Sequence, residues 1–238
     1  MTAHDTNKSA TAANPSPAAT NAVTPANRDT IPVVVWRSTT DEYDATPDAD
    51  VRDSPLTPRL AHHLVAIYSD PHTTVIDLDA DDHLRHAAET TGRRYLAVTS
   101  PADLSTLPEQ PSPAALIMMR WPRPATRASE QDANNLLRAC QRHLANDGST
   151  IIAVTAATPG QPGTTHTEHE QVLLPAAKAA GLRHLHDIVP LPATDGRDSF
   201  TYTTAPADTA SDRDTDPDTP RQTTSTTLVI FGHPRRRP

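Results

Sequence analysis

The sequence predicts an α/β fold in which helices cover both faces of a mostly parallel sheet. Short apolar runs typical of strands alternate along the chain with segments of helical periodicity. Residues 114–119 are apolar throughout, as expected for a strand that is covered on both faces. The last two apolar runs have no helical segment between them, which predicts that the C-terminal strand is antiparallel to its neighbour.

The strands are predicted from apolar runs of four to eight residues bounded by polar or turn-forming residues. The first run, residues 31–36, fits an edge strand or a stub packed on the core. Residues 75–78 fit the first central strand, with the acidic residues Asp77 and Asp79 at its end. The remaining predicted strands are residues 95–98, 114–119, 151–154, 185–191 and 226–231.

Four helices are predicted from capping residues and one-sided apolar periodicity. Thr57 and Pro58 open the first, since threonine is a good N-cap and proline fits the first helical position. Residues 84–91 form the second, and Gly92 ends it. The later two each pair a hydroxyl residue with an acid three residues on and end at glycine: Ser129 and Asp132 with Gly148, and Thr167 and Glu170 with Gly181. Pro175 is expected to kink or divide the last helix.

Two stretches lack the apolar side chains needed to form a core. Residues 1–30 are rich in Ala, Thr, Asn, Ser and Pro, and are predicted to be a disordered N-terminal tail. Residues 205–224 are predicted to be a disordered acidic loop inside a single domain that spans residues 31–234. Residues 235–238 form a short basic tail.

Composition excludes several classes of function. The net charge is −8 and aromatic residues make up only 3%, which argues against a nucleic-acid binder that relies on bulk charge or on base stacking. The single cysteine, Cys140, excludes an internal disulfide and a cysteine-cluster zinc site, and its place on an apolar helical stripe predicts an inert core residue. With neither an apolar leader nor a membrane-length run, a cytoplasmic location is expected.

Three segments together resemble class I S-adenosylmethionine (SAM)-dependent methyltransferases. Residues 135–155 (NLLRACQRHLANDGSTIIAVT) are similar to a late helix, glycine turn and strand of that family, residues 179–189 to the next helix end and strand, and residues 226–231 to its antiparallel closing strand. The Val35-Trp36 segment before them resembles actinobacterial proteins related to DNA amino-methyltransferases. The resemblance covers roughly residues 31–234 and implies a Rossmann-like methyltransferase fold with SAM as cofactor.

The cofactor motif of that family departs from its pattern here. The family has an acid followed by a glycine-rich turn that accommodates SAM, so the resemblance assigns cofactor binding to Asp77 or Asp79. The turn that follows reads Ala80-Asp81-Asp82-His83, and no glycine occurs before Gly92. The family's second strand ends in a ribose-binding acid, whereas here Val98 leads into Thr99-Ser100-Pro101.

The catalytic motif departs as well. DNA amino-methyltransferases place an acid, Asn or Ser before Pro-Pro and an aromatic residue, so that oxygen atoms accept hydrogen bonds from the target amine. The corresponding positions here are Arg120, Trp121 and Pro122. Neither the arginine nor the tryptophan side chain can accept a hydrogen bond. The resemblance therefore implies a degenerate catalytic position with no assignable catalytic residue.

Other clusters of polar residues each allow two interpretations. Asp77, Asp79, Asp81 and Asp82 fit a metal or ribose site, or a solvated loop whose aspartates favour the following helix N-terminus. Arg120, Arg123 and Arg127 fit an anion or nucleic-acid contact at the sheet edge, or an ordinary surface loop. Two histidine pairs at helical spacing, His83 with His86 and His166 with His169, fit metal ligands or solvated helix faces. In each case the second interpretation, an ordinary solvated surface, is preferred, and no metal site is predicted.

Two functions remain after these comparisons of motifs. The preferred one is a methyltransferase-like protein that has lost SAM binding and catalysis and acts as a binding or interaction module for a protein partner or DNA. The alternative is an active SAM-dependent methyltransferase, with DNA as a candidate substrate. The fold alone does not choose between them.

Overall fold

The computed structural model describes residues 31–39, 56–98, 100–107, 113–123, 129–158, 160–193, 199–203 and 224–234. These residues belong to one compact unit, Ile31–Pro238. The predicted N-terminal tail, the basic tail and residues 205–223 of the predicted acidic loop lie outside the described residues, so the disorder and domain boundaries stay predictions.

The described elements alternate as the sequence predicts. The strands are β1 (Val33–Thr39), β2 (Thr74–Asp77), β3 (Arg94–Ala97), β4 (Ala114–Trp121), β5 (Leu144–Ala157), β6 (Arg183–Ala193), β7 (Ser199–Thr203) and β8 (Thr224–Gly232). The helices are α1 (Pro58–Tyr68), α2 (Asp82–Thr90), α3 (Pro101–Thr106), α4 (Glu130–His143) and α5 (His166–Ala179). The short helix α3, capped by Ser100, was not predicted.

The eight strands form one sheet in the order β3-β2-β4-β5-β8-β6-β1-β7. Strands β1 to β6 run in one direction, while β7 and β8 run in the other. The closing strand β8 lies between β5 and β6 and is antiparallel to both. The predicted mostly parallel α/β sheet with an antiparallel C-terminal strand is confirmed.

Helices cover both faces of this sheet, as expected. On one face, α3, α4 and α5 pack through residues such as Leu104, Leu136 and Leu173. On the other face, α1 and α2 pack through residues such as Leu64 and Leu84. Successive residues of β4 alternate between the two cores, which explains why this strand is apolar along almost its whole length.

The prediction that residues 31–36 form an edge strand or a stub was wrong. Strand β1 pairs in parallel with β6 on one side and antiparallel with β7 on the other. Strand β7 has the sequence Ser-Phe-Thr-Tyr-Thr, which contains no apolar run, and this is why it was missed. Its pairing moves β1 from the edge of the sheet to the second position.

Two predicted helix boundaries were also wrong. Helix α4 ends at His143, and Gly148 lies inside β5 rather than at the end of the helix. A Cβ on Gly148 would lie 2.8 Å from the carbonyl oxygen of Ala114, so the glycine permits close approach of two strands. Helix α5 begins two residues earlier than predicted, because Thr165 and Glu168 form the capping box, and it continues through Pro175.

No helix in the described part of the chain is both long enough and apolar enough to cross a bilayer.

Candidate functional site

The turn after β2 is organised by the carboxylate of Asp77, the last residue of that strand. This side chain is fully buried. Its Oδ1 accepts a hydrogen bond from the backbone N–H of Asp79 at 2.9 Å, and its Oδ2 accepts one from the N–H of Asp81 at 2.7 Å. The hydroxyl of Tyr95 on β3 donates a third hydrogen bond, at 2.7 Å. Asp77 therefore holds its own turn together.

Ala80 takes the conformation that a glycine would normally supply. Its φ is +55°, in the left-handed region that L-residues with a Cβ rarely adopt. Asp81, the next residue, is the N-cap of α2, and its side chain accepts hydrogen bonds from the N–H groups of His83 and Leu84. Two aspartate side chains therefore stabilise a turn with a left-handed residue that is not glycine.

Burial raises the pKa of Asp77 from its ordinary value of 3.8 to about 6, even though its hydrogen bonds favour the charged form. Burial and the neighbouring Asp77 carboxylate also raise the pKa of the Tyr95 hydroxyl. This phenol therefore stays protonated and remains the donor to Asp77.

Asp79 is bound by two arginines from the end of the neighbouring strand β4. Its Oδ1 lies 3.2 Å from Nη1 of Arg123 and 3.5 Å from Nε of Arg120. Its Oδ2 accepts a hydrogen bond of 2.5 Å from the backbone N–H of Arg120. Arg123 also donates from Nη2 to the carbonyl oxygen of Leu78 at 2.8 Å. The Asp79 side chain is 7% exposed, so the two arginines neutralise its negative charge at a site from which water is largely excluded.

These contacts determine how much of the predicted arginine patch faces solvent. The side chain of Arg123 is 11% exposed and that of Arg120 is 32% exposed. Arg127 lies outside the described residues. An anion or nucleic-acid contact by Arg120, Arg123 and Arg127 stays a prediction, and the first two side chains meet Asp79 at this edge of the sheet.

The degenerate catalytic positions lie at the end of β4, beside this ion-pair cluster. Trp121 is buried in the core on the α4 side, and its indole N–H has no hydrogen-bond partner among the described residues. The Trp121–Pro122 peptide bond is cis. Neither the Arg120 nor the Trp121 side chain offers an acceptor oxygen for a substrate amine, and the degenerate catalytic position stays a prediction.

The space between the turn after β2 and the end of β4 is small. A cavity of about 10 Å³, lined by Leu56, Asp77, Asp79, Asp81, Met118 and Arg120, separates the turn after β2 from the end of β4. That volume is room for about one water molecule.

The members of each histidine pair named in the sequence analysis have different surroundings in the structure. On α2, a ring nitrogen of His83 lies 2.8 Å from the carbonyl oxygen of Leu56, while His86 is exposed. On α5, His169 is buried, and that burial lowers its pKa. His166 instead faces Glu170, with 3.6 Å between Nε2 and Oε1.

The sequence-based interpretation missed the group that His166 joins, which also includes Asp187. The signal that could have found it is the capping box, since a helix that starts at His166 places Glu170 one turn further on the same face. Cys140 is buried in the core as predicted, and burial raises the pKa of its thiol to about 12.

No protein-family model matches this chain, and no curated protein is similar to it in sequence. Among solved structures, it is similar to geranyl diphosphate C-methyltransferase from Streptomyces coelicolor A3(2), in complex with Mg²⁺, geranyl diphosphate and S-adenosyl-L-homocysteine. The identity is 12% over 83% of this chain and 90% of that one, with a TM-score of 0.47.

Two further structures give similar values. A geranyl diphosphate methyltransferase in complex with GPP and sinefungin matches at 11% identity over 74% of this chain and 77% of that one, with a TM-score of 0.44. LepI in complex with SAM matches at 13% identity over 72% of this chain, which spans only 39% of LepI, with a TM-score of 0.35. Likeness at this level carries no information about what this chain binds. The finer resemblance to DNA amino-methyltransferases stays a prediction.

Proposed function

We propose that this protein is a methyltransferase-like α/β protein that does not use SAM and acts as a binding or interaction module. The observation that carries the proposal is the contact of Asp79 with Arg120 and Arg123. A carboxylate that binds a cofactor has to be reachable by it, whereas this carboxylate is 7% exposed and already paired with two cations of its own chain.

The state of Asp77 supports the same proposal. Both of its oxygens accept hydrogen bonds from the turn and from Tyr95. These contacts maintain a left-handed Ala80, whereas the resembling family uses glycines at such a turn to let the backbone approach SAM. The two acids that the resemblance assigns to cofactor binding are therefore both engaged in holding the protein's own structure.

Charge favours a protein partner over DNA. The net charge is −8, and a protein that binds DNA through phosphates needs basic side chains directed at the ligand. Arg123 is largely buried against Asp79, so it offers little charge to a phosphate backbone. DNA binding would then depend on Arg120, Arg127 and the basic tail.

The competing function is an active SAM-dependent methyltransferase. In its favour, the turn after β2 and the end of β4 meet at the carboxyl edge of parallel strands, where open α/β sheets bind ligands. For this function, SAM would have to separate Asp79 from its arginines or bind beside them. It would also need an acceptor group other than the side chains of Arg120 and Trp121.

Thermal unfolding in the presence of SAM or S-adenosyl-L-homocysteine separates these functions. At about 1 mM ligand, a Kd of about 10 μM would stabilise the fold by about 2.7 kcal/mol and raise Tm by several degrees. We expect no shift with either ligand. A dose-dependent rise in Tm, or methyl transfer from labelled SAM to DNA, would contradict the proposal. In the Arg123→Met variant, Asp79 loses its most buried partner. A rise in Tm with SAM in this variant but not in the wild type would show that the ion pair is what blocks the ligand.

A further inference from the structure

A second group of titratable side chains lies on α5 and β6, away from the turn after β2. One ligand atom from each of His166, Glu170 and Asp187 lies within 4.8 Å of the others. Strands β5 and β8 separate β6 from β4 in the sheet, so this group is distinct from the ion-pair cluster around Asp79.

The start of α5 fixes the first two members of the group. The Thr165 hydroxyl accepts a hydrogen bond from the N–H of Glu168, and the Glu168 carboxylate accepts one from the N–H of Thr165. The helix therefore begins at His166, which places His166 and Glu170 four residues apart on one face. Both side chains are half-buried, so a solvent ion can reach them.

A bulge in β6 positions Asp187, the third member of the group. Between His184 and His186, β6 advances by two residues while β8 advances by one, from Phe231 to Ile230. The extra residue reverses the usual alternation of faces. His186 then contacts Tyr68 of α1, while His184 and Asp187, three residues apart, meet on the other face.

His184 holds the carboxylate of Asp187 in place. Its Nε2 lies 2.7 Å from Oδ1 of Asp187, and its ring packs against Phe231 with 5.4 Å between centroids. The side chain of His184 is 8% exposed, and its buried Nδ1 has no hydrogen-bond partner among the described residues. Carboxylate ligands of metal ions are usually oriented by such a hydrogen bond.

We propose that His166, Glu170 and Asp187 bind a divalent transition-metal ion of the Zn²⁺ type, with His184 orienting the Asp187 carboxylate. One imidazole nitrogen and two carboxylates are a donor set that zinc accepts. Tetrahedral coordination needs donor atoms about 3.4 Å apart, close to the 3.6 Å between His166 and Glu170. The Asp187 donor atom lies within 4.8 Å of the other two, and its approach to them completes the geometry and leaves the fourth position open.

The electrostatics of the group suit a cation. Glu170 faces His166 directly, and the ligand atom of Asp187 lies within 4.8 Å of both. Two carboxylates thus face one imidazole, and a divalent ion would balance both negative charges where a proton on His166 balances only one.

Calorimetric titration of the full chain with Zn²⁺, after treatment with a chelator and its removal, tests the site. We expect one ion per chain with a micromolar or lower Kd. Glu170→Gln and Asp187→Asn are each expected to weaken binding about tenfold or more, and His184→Gln about tenfold through its effect on Asp187. His62→Asn and His86→Asn, which remove exposed histidines elsewhere, are the matched controls and should leave the Kd unchanged.

Cobalt substitution gives a second measurement of the same site. Co²⁺ in a tetrahedral site of nitrogen and oxygen donors absorbs visible light, and this absorption should disappear in Glu170→Gln, whose isosteric, half-buried side chain leaves the fold intact. The site is overturned if no single ion binds, or if Glu170→Gln and Asp187→Asn bind Zn²⁺ as tightly as the wild type. Either result is independent of whether SAM binds.

Discussion

The guanidinium of Arg123 and the carboxylate of Asp79 form a buried ion pair, with 3.2 Å between Nη1 and Oδ1. Nη1 makes no aligned hydrogen bond to any described residue, so its contact with Asp79 is mainly electrostatic, while Nη2 donates to the carbonyl oxygen of Leu78. The pair joins the turn after β2 to the segment after β4. It lies at the edge of the sheet at which an open α/β fold would hold a ligand.

Breaking this pair should destabilise the protein. Arg123→Met leaves the Asp79 carboxylate buried with only Arg120 to neutralise it, which should cost about 2–3 kcal/mol of unfolding free energy. Urea denaturation measures the change. The double variant Arg123→Met with Asp79→Asn should lose less than the sum of the single variants, because it removes both charges of this pair rather than leaving one of them buried alone.

The exposed pair of Arg85 and Asp82 on α2 is the matched control. Its side chains are 53% and 73% exposed, so Arg85→Met should change the unfolding free energy by less than about 0.5 kcal/mol. Equal losses at Arg123 and Arg85 would show that the buried pair does not hold the two segments together.

The left-handed conformation of Ala80 should be relieved by glycine. Ala80 is exposed with φ +55°, so Ala80→Gly removes a Cβ penalty without losing buried surface and should stabilise by about 0.5–1 kcal/mol. Gly92 provides the reverse test, since its φ is +74° and nothing lies within 4 Å of an added Cβ. Gly92→Ala should destabilise by about 1 kcal/mol. Chemical denaturation of the two variants should give shifts of opposite sign, and a destabilised Ala80→Gly would refute the conformational assignment.

The raised pKa of Asp77 predicts a specific dependence of stability on pH. The folded state binds the proton more tightly than the unfolded chain, so this contribution to stability is fully present below about pH 3.8 and is lost as pH rises through about 6. Relative to Asp77→Asn, the wild type should lose up to about 3 kcal/mol of unfolding free energy between pH 4 and pH 7. A gap between wild type and Asp77→Asn that does not change with pH would place the pKa of Asp77 near its ordinary value.

Continuous apolar runs made most of the sheet predictable. Strands β2, β4 and β8 and the core of β5 are buried on both faces, so their sequences stand out without knowledge of their neighbours. Strand β7 could not be found in this way, because its sequence carries no such run.

The start of α5 was misplaced for a local reason. The segment Thr165-His166-Thr167-Glu168-His169-Glu170 contains two threonines, each with a glutamate three residues on, and both fit a capping box. The structure selects Thr165 with Glu168. That choice leaves Glu170 free of the cap and able to face His166.

The pairing of Asp79 with Arg123 depends on tertiary structure. The two residues are 44 positions apart in the chain and follow the neighbouring parallel strands β2 and β4. The sequence placed both at the carboxyl edge of the sheet but assigned them to different sites, one for a cofactor and one for an anion. Only the geometry of the sheet brings the opposite charges within contact distance.

Isothermal titration calorimetry of the full chain with S-adenosyl-L-homocysteine and SAM tests most directly whether the cofactor position is closed. Titration to about 1 mM ligand should give only the heat of dilution, because Asp77 and Asp79 are engaged within the protein. Circular dichroism of the same sample shows that the protein is folded. Saturable binding of one ligand per chain with a Kd of about 100 μM or lower would contradict this and favour an active methyltransferase.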